Sequence, residues 1–189
     1  MIVDKNHNIL KNDDYFLKPF TEKDIEDKYI NWLNDKDVNK YLEIRFKKQT
    51  IHLIKKYINS FYEDVEKYLW GIYASDNQEL IGTTSLYNIS RDHGLADISI
   101  MIGNKNYWGT NAALESKKLV INFAFNNISI RKIIAGSYSH NLGINFTLKK
   151  LGFILEAKLK KNRKLENGKY CDEYKWGLLS EEWQKKINK

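Results

Sequence analysis

Polar and apolar residues alternate from Leu95 to Gly103, with Asp97, Ser99 and Met101 on one side and Ala96, Ile98, Ile100 and Ile102 on the other. This is the period-two pattern of a strand. Tyr15 to Phe20 reads as a first strand, and Pro19 within it predicts a sheet edge. Leu69 to Ala74 and Leu80 to Tyr87 read as a hairpin across the loop Ser75 to Glu79, and Asn88 to Gly94 as a further polar turn. Arg131 to Ser139, Phe153 to Leu159 and Tyr170 to Leu179 complete the strands.

The spacing switches to three and four residues between them. Thr21, with Asp24 in the capping-box position, predicts a helix carrying Ile25, Tyr29, Trp32 and Leu33 on one side and ending near Asn34 to Lys36. After Thr50, the residues Ile51, Ile54, Ile58, Phe61 and Val65 form one apolar stripe, which is expected to pack on the protein's own sheet, with a partner-binding face as the alternative. Thr110 to Asn126 is apolar around much of its circumference, which predicts a deeply packed helix. Asn141 to Leu151 is a shorter helix ending at a C′ glycine, Gly152. Ser180 caps a terminal helix holding Trp183 and Ile187. The order βααβββαβαββα predicts an α/β (α+β) fold: a mixed, mostly antiparallel sheet flanked by helices rather than a doubly wound one. Residues 1–14 read as an N-terminal extension, 15–179 as the domain and 180–189 as a C-terminal helix.

One junction carries candidate chemistry. The strand ending at Gly103 runs through a short polar loop into the helix at Thr110, so Asn106 to Ala113 sets backbone N–H groups at a helix N-terminus. Those donors lack intrahelical partners, and the helix dipole adds partial positive charge. Such a terminus holds phosphate or pyrophosphate, and Gly109 lets a ligand approach the backbone closely. A plain strand-to-helix connection with a turn glycine is the alternative.

Composition narrows the setting. The 189 residues fit one domain with a full core. No apolar run reaches a membrane span, and the stretch Met1 to His7 has no charged-then-apolar signal pattern. Cys171 is the single cysteine, and His7, His52, His93 and His140 are scattered, so neither a disulfide nor a metal site is expected. These features fit a reduced cytoplasm. The net charge is +7, but the basic residues are dispersed apart from a cluster at Lys158 to Lys164. That cluster reads as a solvated hairpin tip rather than a nucleic-acid site.

On these motifs the chain resembles the GNAT superfamily of acyl-CoA-dependent N-acetyltransferases over Tyr15 to Leu179. The family's Gln/Arg-x-x-Gly-x-Gly/Ala signature corresponds to Asn106 through Asn111, with Gly109 kept and the outer positions changed. Ile102 and Gly103, Tyr107 to Gly109, Ala113 to Glu115, His140 to Asn145, Lys149 to Phe153, Leu17 to Phe20 and Asp172 to Leu179 look like the ribosomal-protein-acetyltransferase-type branch. The resemblance implies acetyl-CoA as donor and splayed central strands. It implies pairing of the pantetheine with Ile100 and Ile102, and pyrophosphate on the amides of Gly109, Thr110, Asn111, Ala112 and Ala113. Asn111 substitutes for glycine because it tolerates glycine-like backbone angles. Asn141 and Asn145 open the helix facing the donor, and an N-cap role for Asn141 is compatible with this.

Acetyl transfer to an amine needs a neutral nitrogen, a stabilised oxyanion and a proton for the departing thiolate. The amide near Met101 is the oxyanion candidate. Leu148 stands where many family members carry a tyrosine acid, so Tyr138 and His140 are the substitutes. Asp97 is the first candidate base and Glu43 the second. Glu43 and Arg45 lie between the first two helices, where the family builds its acceptor pocket, and would recognise an amine with a phosphate or carboxylate. Each of these residues also has a purely structural alternative. The implied activity is N-acetylation of a small amine, in a monomer or homodimer with no nucleic-acid or membrane partner. Trp32 to Asp35 and Tyr41 to Phe46 look like enzymes that acetylate nucleotide-linked amino sugars. A protein N-terminus is the alternative acceptor, and a non-catalytic acyl-CoA-binding module is the alternative class.

Overall fold

The computed structural model describes residues 9–188. Most of the expected N-terminal extension, with Met1 to His7, lies outside the described residues. Eight strands form a single sheet: β1 Leu10–Lys11, β2 Tyr15–Pro19, β3 Tyr68–Ala74, β4 Leu80–Ser90, β5 Leu95–Ile102, β6 Lys132–Tyr138, β7 Ile154–Lys164 and β8 Tyr170–Leu179. Their order is β1-β2-β3-β4-β5-β6-β8-β7. Every neighbouring pair is antiparallel except β5 with β6. The expected mixed, mostly antiparallel sheet is observed.

The helices are α1 Asp27–Asn34, α2 Lys36–Asn39, α3 Ile51–Glu63, α4 Ala112–Asn122, α5 Leu142–Leu151 and α6 Ser180–Ile187. Two cores form, one on each face of the sheet. Ile98, Val120, Ile121, Leu148, Trp176 and Trp183 belong to the α4, α5 and α6 side. Tyr29, Ile54, Ile58, Phe61 and Met101 belong to the α1 and α3 side. Alternation along β5 produces this division, since Ile98 and Met101 point to opposite faces. Gly152 has φ +96 and ends α5 in the left-handed cap that glycine adopts without strain.

Several boundaries differ from expectation. β2 is not the edge, since it gains a two-residue neighbour, β1, but Pro19 lies past the segment paired with β1, so on that side its missing N–H costs no ladder bond. The first helix is broken. Thr21 and Asp24 bond to each other across a 3-10 turn, Glu22–Asp24, and α1 starts afterwards. Ile51 and Val65, at the ends of the α3 stripe, are exposed. The long central helix leaves α geometry at Phe123 for a single π turn. Leu179, not Ser180, is the cap of α6, and its N–H donates to Glu182. The Lys158 to Lys164 cluster is not a hairpin tip. It lies in β7, the outer strand of the sheet, where both faces meet solvent and alternation disappears.

Candidate active site

β5 and β6 pair only over Leu95–Asp97 and Lys132–Ile134. Beyond Asp97 the strands part, leaving the β6-side backbone groups of β5 without a ladder partner. A cavity of about 260 Å³ opens in the gap. Its wall includes Ile98, Lys117, Ile144 and Leu148 from the α4 and α5 side, and Tyr87, Asp97, Tyr138, Glu173 and Lys175 from the opposite face. The gap therefore runs through the sheet from one face to the other.

The loop before α4 lies at the far end of β5. Gly109 has φ +76, and a Cβ built there would meet nothing within 4 Å, so its outer side is open. Among the described residues, the amides of Gly109, Thr110, Asn111 and Ala113 have no protein acceptor. The Ala112 amide differs from expectation, donating to Thr110 Oγ1 at 3.2 Å. Asn111 also differs. Its φ of −81 lies outside the left-handed region, so it does not act as a glycine substitute. Its side chain instead anchors the loop, accepting from Tyr15 Oη at 2.9 Å and donating to Asp14 at 3.1 Å. A glycine-opened loop with free amides at a helix N-terminus suits the pyrophosphate of a CoA donor.

On the other face the short 3-10 segment Glu43–Phe46 presents its charges to β6 and β7. Glu43 Oε1 accepts from Tyr138 Oη at 2.8 Å and from Arg163 Nη1 at 3.1 Å. Arg45 Nη1 donates to Tyr138 Oη at 2.8 Å, and its Nη2 donates to the Lys164 carbonyl. Burial raises the Tyr138 phenol above its usual range, with the Arg45 bond opposing. Glu173 is buried and accepts from Arg163 at 2.8 Å and Lys175 at 2.7 Å. Burial alone would raise its carboxyl, but these bonds and one from Asn162 outweigh it and hold the group at about 2. Asp97 lines the cavity and accepts from Asn88 Nδ2 at 2.6 Å.

The structure brings together Asp97, Glu43, Tyr138, Ile100 and Asn141 on the cavity wall. Asn141 also caps α5, accepting from the Ile144 amide at 3.3 Å, so its two readings coexist. Met101 and Ile102 lie past the lining, with Met101 packed into the α1 and α3 core. Asn145 is consumed internally, bonding Ser137 Oγ and the carbonyls of Tyr138 and Ser139, which ties α5 to β6. His140 is exposed and its ring meets Ser139, away from the wall. Arg45 stands behind Tyr138 rather than on the wall.

Lys117, Arg163, Glu173 and Lys175 were not among the expected site residues. Arg163, Glu173 and Lys175 depend on pairing between β7 and β8, which no local pattern marks. Lys117 had a legible signal. It falls among the buried positions Ala112, Ser116, Val120 and Ile121 of α4, the spacing of one inward helix face. Its side chain is buried, and burial pulls its ammonium down to about 7. Protonation thus favours the unfolded chain, and this penalty fades as pH rises from about 7 toward the ordinary lysine range. Lys117→Met is expected to raise stability at neutral pH by at least about 1 kcal/mol, or about 2–4 °C in Tm. Thermal unfolding near pH 7 checks this, and a lower Tm would contradict it.

A family model described as an acetyltransferase (GNAT) domain matches residues 15–154. The probable N-acetyltransferase YjcK of Bacillus subtilis is 33% identical over 137 residues, covering 69% of this chain and 74% of its own. The uncharacterized N-acetyltransferase YoaA of the same organism is 28% identical over 80% of this chain and 86% of its own. Among solved structures, spermidine N-acetyltransferase from Vibrio cholerae, in complex with CoA and spermine, superposes with a TM-score of 0.81 at 19% identity. The match covers 92% of this chain and 99% of that one.

Proposed function

The chain belongs to the GNAT acetyltransferase family, and from that premise we propose that it transfers the acetyl group of acetyl-CoA to the primary amine of a small acceptor. The observation that carries this reading is the cavity crossing the sheet where β5 and β6 part. A donor arm on the α4 and α5 side and an amine on the Glu43 and Asp97 side would meet inside it. Holding the two reactants in line supplies much of the rate for an already reactive thioester. In this reading the amides around Gly109 hold the pyrophosphate, and amides of β5 bordering the gap polarise the acetyl carbonyl. Asp97, directly or through a water, takes the proton of the acceptor nitrogen. Tyr138 and Glu43 form the acceptor-side wall.

The charges favour a compact amine over a nucleotide-linked amino sugar. A diphosphate needs cations to receive it, whereas Arg45, Arg163 and Lys175 are each already paired with protein groups. The amino sugar, a protein N-terminus as in the ribosomal-protein branch, and a cytoplasmic setting stay as finer readings. None of the helices among the described residues is long and apolar enough to cross a membrane.

The test is release of free thiol from acetyl-CoA with polyamines, amino sugars, nucleotide-linked amino sugars and N-terminal peptides. Turnover with a small amine is expected. Thiol release at background with every class would leave a CoA-binding module instead. Glu43→Gln should lower turnover by about tenfold or more while sparing donor affinity, since Glu43 lies on the acceptor side. Normal turnover across pH would reduce Glu43 to a surface charge.

A further inference from the structure

Lys117 is 1% exposed and lies on the cavity wall. Among the described residues its ammonium has neither a hydrogen-bond acceptor nor a carboxylate partner. It follows Ala112 by five residues, which sets it about 7.5 Å along α4 from the N-terminal amides. Ile98, Ile100, Ile144 and Leu148 are its aliphatic companions on that side, and the polar groups there are already engaged, Ser137 Oγ with Asn145 and Trp176 and Asn141 Oδ1 with the Ile144 amide. A buried cation without a partner is costly, and here it borders the gap that a CoA arm would fill.

We propose that Lys117 is the proton donor to the sulfur that leaves when the acetyl group is transferred. The proposal rests on acetyl transfer from CoA as read above. As the new C–N bond forms, the C–S bond breaks and its electron pair stays on sulfur. Lys117 gives a proton from Nζ, an S–H bond forms, and the neutral amine later regains a proton from solvent. The acceptor nitrogen loses its own proton on the other face, to Asp97 or water. Burial holds the Lys117 ammonium down at about 7, below an ordinary thiol at about 8.5, which favours transfer to sulfur. The charged and titratable groups on the same cavity wall are Glu43 from the 3-10 segment, Asp97 from β5, Arg163 from β7, Glu173 and Lys175 from β8, and Tyr41, Tyr87 and Tyr138. Helix α5 contributes Ile144 and Leu148, and its cap contributes Asn141. On α4 itself, Glu115 is engaged with Lys118 and Asn12.

The test uses calorimetric titration of the full chain with CoA and with CoA oxidised to the sulfonate, an anion at the sulfur position. At pH 8, in buffers of different ionisation enthalpy, the wild type should take up about one more proton with the sulfonate than with CoA, because Lys117 charges to meet it. Lys117→Met should lose that uptake and lower the affinity ratio of sulfonate to CoA at least tenfold. Its turnover should fall about 10²-fold while plain CoA still binds. Equal proton uptake and an unchanged ratio in the two proteins, with CoA bound by both, would overturn the role of Lys117 and leave the function reading standing. Absence of CoA binding by the wild type would overturn both.

Discussion

Asp97→Asn is expected to cut turnover at neutral pH by about 10²–10⁴-fold, with a far smaller loss at high pH. Asp97 is the last β5 residue paired to β6, so its side chain stands where the strands begin to part. It lies on the cavity wall with one carboxylate oxygen bonded to Asn88. A small amine is largely protonated at neutral pH, and its nitrogen attacks only after losing a proton. At high pH it arrives neutral, and the carboxylate has nothing left to remove. A pH series of turnover on the single variant separates this from a bracing role. Loss of the Asn88 bond alone would lower thermal stability and leave the shape of the profile unchanged, which would remove Asp97 from the chemistry.

Gly109→Asp is expected to weaken CoA binding at least tenfold, on the order of 1.4 kcal/mol, in a protein that still folds. The φ of +76 is one that an L side chain adopts with strain, a local cost on the order of 1 kcal/mol. No heavy atom lies within 4 Å of the new Cβ, so the core is untouched. The carboxylate would stand among the free amides of Thr110, Asn111 and Ala113 and repel a pyrophosphate. Calorimetry showing unchanged affinity in the folded variant would contradict the cradle.

Elements that pack a single face were legible in the sequence. The alternation along Leu95 to Gly103 and the stripe Ile54, Ile58 and Phe61 each record a half-buried surface, and both are observed. The 3-10 segment Glu43–Phe46 and helix α2 are too short to show a period. β7 was read as a charged tip beyond Leu159, because an edge strand exposed on both faces leaves no apolar side to detect. The same logic divides the site. The loop at Gly109 and the parting of β5 are local to one strand and one turn. The Glu43, Tyr138, Arg163 and Glu173 network joins residues more than a hundred positions apart at its extremes, through the register of β6, β8 and β7. Asn145 shows the reverse case. Its position suggested a ligand contact, whereas its amide is fully used in holding α5 to β6.

The central claim is that the break between β5 and β6 is the passage where donor and acceptor meet. A crystal structure with CoA bound tests it most directly. The account predicts the pyrophosphate against the amides of Gly109, Thr110 and Ala113. It places the arm along Ile98 and Ile100, and the sulfur inside the gap between Asp97 and Gly136, within reach of Lys117. CoA seated elsewhere on the sheet, or entering from the Glu43 side, would contradict it.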